Sequence, residues 1–390
     1  MIKVRYVGTF AVGELLVFAS TPFVGWRAFL ANPGMRRLLG LAFLWLVGVL
    51  VSDVYNQTPL LDALKGCFNV LFLIALMPFS YWILSDSLHR ILYFWGGYSL
   101  SALVNFFFFF APTLESRFDF EVWRVYAFWP LFAFLASFLY YKGWRKTGMV
   151  VAQGFAFWTL FQSSRNVFLC MTVATAVLLY LAMSEGRETV ERMALYGRKR
   201  FLLFVVGVLA IVFAAFFYER GAERGVFGEA VQNKYLMQKH ADIGLASGRV
   251  DFVMSLLLIR DNPLVGYGSY AKDKDGFRDR YLYEHGYAVR KAKGEELLPG
   301  HSYILGAWVY AGVLGVFFFV FALRQIWSML SGGSMLHEPA LAALLLYVSL
   351  QYAWNILFSP FADRFPYLMF LIPVLVLNTE YFMDTSYDED

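Results

Sequence analysis

The sequence predicts an all-α polytopic integral membrane protein, with about 11–12 transmembrane helices and one large loop on the outer face. Three observations carry this. Of 390 residues, 59% are apolar and only 16% charged, with a mean hydropathy of +0.55; ordinary soluble domains hold about 25% charged residues. Apolar runs approach the ~20 residues that a helix needs to cross a bilayer. One long polar segment, 219–301, interrupts them. A soluble globule lacks the polar surface it needs at this composition, and disorder requires the opposite bias. The net charge of +4 is small and dispersed, which argues against nucleic acid as a partner. Cys67 and Cys170 both lie in apolar runs and make no disulfide framework.

In chain order the predicted helices cover 6–26, 38–52, 66–84, 90–111, 124–141, 147–162, 166–183 and 200–218, then 302–323, 339–358 and 365–383. Read as one helix, 147–183 would be too long for a single span, so the chain must turn at Ser163-Ser164-Arg165. The organisation is therefore an N-terminal bundle (1–218), an outer loop (219–301), a C-terminal helical segment (302–383) and an acidic cytoplasmic tail (384–390). Glu14, Asn69, Asn105 and Asn355 lie inside apolar runs, where polar groups are costly and often functional.

The positive-inside rule orients the set. One family of loops carries thirteen basic residues, among them Arg27, Arg36, Arg37, Arg90, Lys142, Arg145, Lys146 and Arg324. The opposite short loops carry seven: Lys3, Arg5, Lys65, Arg117, Arg124, Arg165 and Arg364. The first family is cytoplasmic, which puts 219–301 outside, in the periplasm of a Gram-negative cell. An odd number of helices also puts the basic N-terminus outside, against its preference. A twelfth helix within 6–31 would repair this. A signal peptide over 1–20 would need a small-residue cleavage site, and no clean one precedes a polar segment.

Within the loop, Ser247 is a candidate N-cap for a helix over 247–261 that ends before Pro263. Phe252, Met254, Leu256, Leu257, Leu258 and Ile259 make this helix too apolar to float in water, so it must pack on the membrane surface or on the bundle. Gly266-Tyr267-Gly268-Ser269 has no following Lys-Ser/Thr and no preceding strand, and reads as a turn rather than a phosphate loop. Lys272–Lys293 is densely charged with both signs, as a solvated lobe or lid would be.

Three residues fall at the same outer face. Arg165 sits in a tight turn beside two hydroxyls, Arg249 opens the loop helix, and His301 begins a span directly after Pro299-Gly300. Each alone has a plain reading: a snorkelling arginine, a lipid-phosphate contact, an interfacial histidine. Arg260 follows Arg249 by three helical turns and is a secondary candidate, with Ser302 and Tyr267. The five histidines lack metal-ligand spacing, so no metal and no cofactor is expected.

The stretch His301-Ser302, nine residues, Gly312, two residues, Gly315 resembles the signature of the bacterial O-antigen ligase family. Arg165-Asn166-Val167-Phe168-Leu169 is similar to that family's Arg-x-x-x-Leu pattern. The segment from Gly248-Arg249 through Asn262-Pro263-Leu264-Val265-Gly266-Tyr267-Gly268 resembles the core of the large periplasmic loop of the ligase/polymerase superfamily. The likeness covers roughly 150–325.

The resemblance implies a GT-C-like glycosyltransferase of the inner membrane. Its donor would be an undecaprenyl-pyrophosphate-linked glycan, and its acceptor the lipid A–core of lipopolysaccharide, with membrane lipids as surroundings. Arg165 and Arg249 would grip the pyrophosphate, and His301 would act on the acceptor hydroxyl. Chemistry is compatible with those roles. Guanidinium forks match phosphate oxygens, and an imidazole titrates near neutrality. An O-antigen or capsule polymerase and a pilin glycan transferase share the donor chemistry and remain open. A lipid-linked sugar transporter is the alternative from another class, although the candidate charges gather at one face and no internal repeat stands out.

Overall fold

A computed structural model describes residues 3–5, 9–84, 88–110, 117–162, 164–184, 213, 216–229, 231–232, 235–236, 250–274, 276–284, 297–300, 302–331 and 339–359. Two three-residue strands pair antiparallel, β1 (Lys3–Arg5) with β2 (Thr9–Ala11), Lys3 opposite Ala11. The helices include α1 (Val12–Ser20), α2 (Trp26–Ala31), α3 (Pro33–Tyr55), α4 (Leu60–Leu84), α5 (Leu88–Asn105), α6 (Arg117–Tyr141), α7 (Arg145–Phe161) and α8 (Arg165–Ser184). After the interval come α9 (Val250–Asp261), α10 (Phe277–Glu284), α11 (Tyr303–Ala311), α12 (Val316–Ser331) and α13 (Pro339–Phe358). Most of the expected helix 200–218, all of 365–383 and the acidic tail lie outside the described residues.

Among the described residues, four segments are long and apolar enough to cross a membrane: Pro33–Tyr55, Leu60–Leu84, Arg90–Phe108 and Tyr303–Ser328. The protein is a largely helical membrane protein. Two expected helices are interrupted. Within the expected helix 6–26, residues 9–23 form β2, α1 and a 3-10 turn at Thr21–Phe23, because Pro22 brings no N–H to continue an α-helix. Residues 302–323 divide into α11, a 3-10 turn at Gly312–Gly315, and the start of α12.

The chain divides into two compact units. The first gathers Met1–Asp86, Gln238–Trp327 and Tyr352–Asp390. Asn32 caps α3, its Oδ1 accepting from the Met35 N–H at 2.9 Å, and Pro33 supplies the first turn. α3 and α4 pack side by side, joined by the short connection 56–59. α3 also packs on α11 and on the 3-10 turn. Gly48 makes that approach possible, since a Cβ there would lie 2.7 Å from the Ala311 carbonyl. Trp45 meets the rings of Phe318 and Phe319 at 5.6 and 5.3 Å.

The second unit is Ser87–Met237 with Ser328–Gln351. Here α5, α6, α7 and α8 pack each on the next, as short connections require of antiparallel neighbours. The α6–α7 turn uses Gly143 at φ 83°, a left-handed position that glycine adopts freely. The apolar interior holds Phe132 stacked on Phe155 (4.3 Å) and Trp95 edge-on to Trp129 (5.7 Å). Partly buried polar groups pair within the unit, Gln153 with Thr172 (3.1 Å) and Thr175 with Tyr347 (3.3 Å).

Candidate functional site

The candidate residues divide between the units. Arg165 belongs to the second; Arg260, Tyr267 and Ser302 belong to the first; Arg249 and His301 lie outside the described residues.

In the second unit the predicted turn is present. α7 ends at Phe161, Gln162 is its C-cap, and Arg165 opens α8. Arg165 is exposed, with its guanidinium carbon 4.7 Å from the Tyr218 ring centre. Tyr218 stacks on Phe227 (5.8 Å, 7°), and Phe227 meets Phe161 edge-on at 5.6 Å. An aromatic shelf thus lies under the cation. Behind the turn, Arg124 of α6 donates to Gln162 Oε1 and lies over the Trp158 ring at 5.3 Å. Asn166 donates to the Tyr126 hydroxyl at 3.5 Å. The head of α8 therefore combines an arginine with the positive end of the helix dipole, two features that favour an anion.

In the first unit α9 packs on α11. Leu258, Ile259, Leu298, Leu305 and Val309 form their shared apolar cluster. This is the packing that the apolar loop helix requires. Ser255 Oγ donates to the Pro299 carbonyl at 2.9 Å. That bond ties the helix following Arg249 to the segment preceding His301. Ser302 is fully buried and caps α11, accepting from the Leu305 N–H at 2.9 Å. Its hydroxyl is committed to starting the helix after His301. Arg260 lies at the far end of α9, with its side chain 73% exposed and paired to Asp261 at 3.2 Å. An exposed pair of this kind adds little to stability.

The segment 262–270 is a turn, as expected of its glycines: Gly266 and Gly268 have φ of 77° and 86°. Tyr267 donates its hydroxyl to the Leu258 carbonyl at 3.3 Å. Burial, and secondarily the Asp261 carboxylate, raises its pKa above the ordinary tyrosine range. Tyr267 is therefore a neutral hydrogen-bond donor at working pH, not a base.

Residues that the sequence did not place among the site candidates complete the picture. Asp53 and Asn56 at the end of α3 bond the turn 266–269. Asn69, one of the polar residues inside a span, donates to the Tyr270 hydroxyl at 3.2 Å. Lys65 lies over the Tyr270 ring at 5.6 Å. The one local signal for Asp53 was a carboxylate closing an apolar helix just before Asn56-Gln57-Thr58-Pro59. Neither a protein-family model nor a curated protein matches the chain.

Proposed function

We propose that the chain is an O-antigen ligase. It transfers O-polysaccharide from undecaprenyl pyrophosphate to a sugar hydroxyl of lipid A–core, at the periplasmic face of the inner membrane. Two features support this reading: the ordered pattern of Arg165, Arg249 and His301-Ser302-x9-Gly312-x2-Gly315, and the Ser255–Pro299 hydrogen bond. The bond carries the argument, because it links the elements adjoining Arg249 and His301.

The chemistry asks little beyond these groups. As the sugar–phosphate bond breaks, negative charge grows on the leaving pyrophosphate. Arg165 and Arg249 stabilise that charge more in the transition state than in the ground state. His301 takes the proton from the acceptor hydroxyl as its oxygen attacks the anomeric carbon. One in-line displacement inverts that carbon. The bond energy resides in the donor, so no ATP is consumed, and the arginines supply the cationic charge that a metal ion supplies in other transferases.

Complementation of a ligase-deficient host tests the proposal. The intact chain restores the lipopolysaccharide ladder on a gel. His301→Ala and Arg249→Ala leave bare core, with lipid-linked polysaccharide accumulating. Core bearing a single repeat in cells that lack the chain would instead identify a polymerase. Full complementation by both variants would remove these residues from the site and favour transport.

A further inference from the structure

Segment 262–270 bonds three elements at once. Toward α9, the Asn262 N–H donates to the Leu258 carbonyl at 3.0 Å and the Tyr267 hydroxyl to the same carbonyl at 3.3 Å, while Asn262 Nδ2 braces the segment itself on the Gly266 carbonyl at 2.6 Å. Toward α11, the Tyr267 N–H donates to the Val309 carbonyl at 2.7 Å, and Trp308 Nε1 to the Pro263 carbonyl at 2.7 Å. The Val313 N–H donates to the Leu264 carbonyl at 3.3 Å. Toward α3, Asn56 donates to the Gly266 carbonyl at 3.0 Å.

The strongest anchor is Asp53, which is 6% exposed. Its carboxylate accepts from both the Ser269 N–H (2.5 Å) and the Ser269 hydroxyl (2.9 Å). A buried carboxylate is tolerable only when its oxygens are bonded, so the pairing constrains both partners. Gly66 on α4 is shaped for the same contact, since a Cβ there would lie 1.9 Å from Ser269 Oγ. The fold thus devotes an acidic residue and a glycine, more than 200 positions away in sequence, to holding one loop serine.

We infer that Asp53 is a positioning residue, the fixed anchor of a strap that holds the elements adjoining Arg249 and His301. This rests on the ligase reading for its catalytic consequence. Misplacing reacting groups by about 1 Å costs on the order of 10²-fold in rate, so a loosened strap acts on turnover before it acts on donor binding.

The test uses the purified full-length chain in lipid nanodiscs, with two independent readouts. In Asp53→Ala, amide hydrogen exchange at 267–269 and in the last turn of α11 rises at least tenfold. With a polyprenyl-pyrophosphate glycan donor, kcat falls about 10²-fold while the donor KM stays within about threefold. Asp53→Asn keeps one acceptor oxygen for the Ser269 N–H and recovers part of the rate, which a cavity-creating structural role would not produce. Should Asp53→Ala not fold, Ser269→Ala removes the hydroxyl donor alone and is expected to lose kcat by severalfold. Unchanged exchange at 267–269, or faster exchange with unchanged kcat, overturns the inference. If the intact chain transfers no glycan, the ligase reading fails, and the exchange readout alone decides whether Asp53 fixes the strap against α11.

Discussion

Gly312 sits where three constraints meet. Its φ of 66° is a left-handed position, its neighbour is the Leu264 carbonyl, and it ends α11. A Cβ there would lie 2.1 Å from that carbonyl oxygen. Gly312→Ala is therefore expected to destabilise by about 1–3 kcal/mol, combining backbone strain with displacement of the strap. It should lower the melting midpoint of the purified protein by several degrees. Gly97→Ala is the control: it lies within α5, and its added methyl would meet nothing within 4 Å. That variant should leave the midpoint in place or raise it. Equal midpoints for both would show that the 263–264 segment does not press on α11. The residue identities in the motif were legible in the sequence, but two roles were not. Gly312 serves a turn and a close approach, and Ser302 serves a helix cap. Both depend on which backbone comes near, and spacing alone does not disclose that.

At the scale of elements, the α7–α8 hairpin was legible because length alone forced it: no bilayer accommodates 147–183 as one straight helix. What braces the hairpin was not legible. Arg124 and Gln162 are 38 residues apart, and only the antiparallel packing of α6 on α7 brings them together. The two arginines should therefore behave differently. Arg124→Ala removes the partner of a buried C-cap residue and the cation over Trp158, so it should lower the melting midpoint and transfer together. Arg165 is an exposed cation in the first turn of α8, where the dipole opposes positive charge by about 0.3–1 kcal/mol. Its contact with Tyr218 offsets about the same amount. Arg165→Ala should leave the midpoint nearly unchanged while transfer falls about a hundredfold, as the loss of one cation at developing pyrophosphate charge implies. Wild-type transfer in Arg165→Ala would show that the charge at the head of α8 has no part in the reaction.

At the scale of the whole molecule, hydropathy disclosed the class and the four membrane-length spans among the described residues. It did not disclose which spans assemble with which. The first unit joins segments from the start, middle and end of the chain, and contacts such as Asp53–Ser269 have no local signature in a one-dimensional pattern. Sidedness is the global property that the sequence does encode, through the distribution of Lys and Arg. α3 carries Arg36 and Arg37 at its beginning and meets the strap at its other end. α7 has Lys142, Arg145 and Lys146 at or before its start, and its 17 residues rise about 25 Å to the turn before Arg165. Within each unit, then, basic residues lie at one end of a long helix and candidate site residues at the other. Single cysteines in a background lacking Cys67 and Cys170 should report this in intact cells with permeable outer membranes. Lys272→Cys and Glu219→Cys, both at exposed positions, should react with a membrane-impermeant maleimide. Arg37→Cys and Lys142→Cys, also exposed, should react only after the inner membrane is opened. The reverse pattern would place the arginines on the cytoplasmic face, out of reach of a periplasmic glycan donor, and the ligase reading would fall with it.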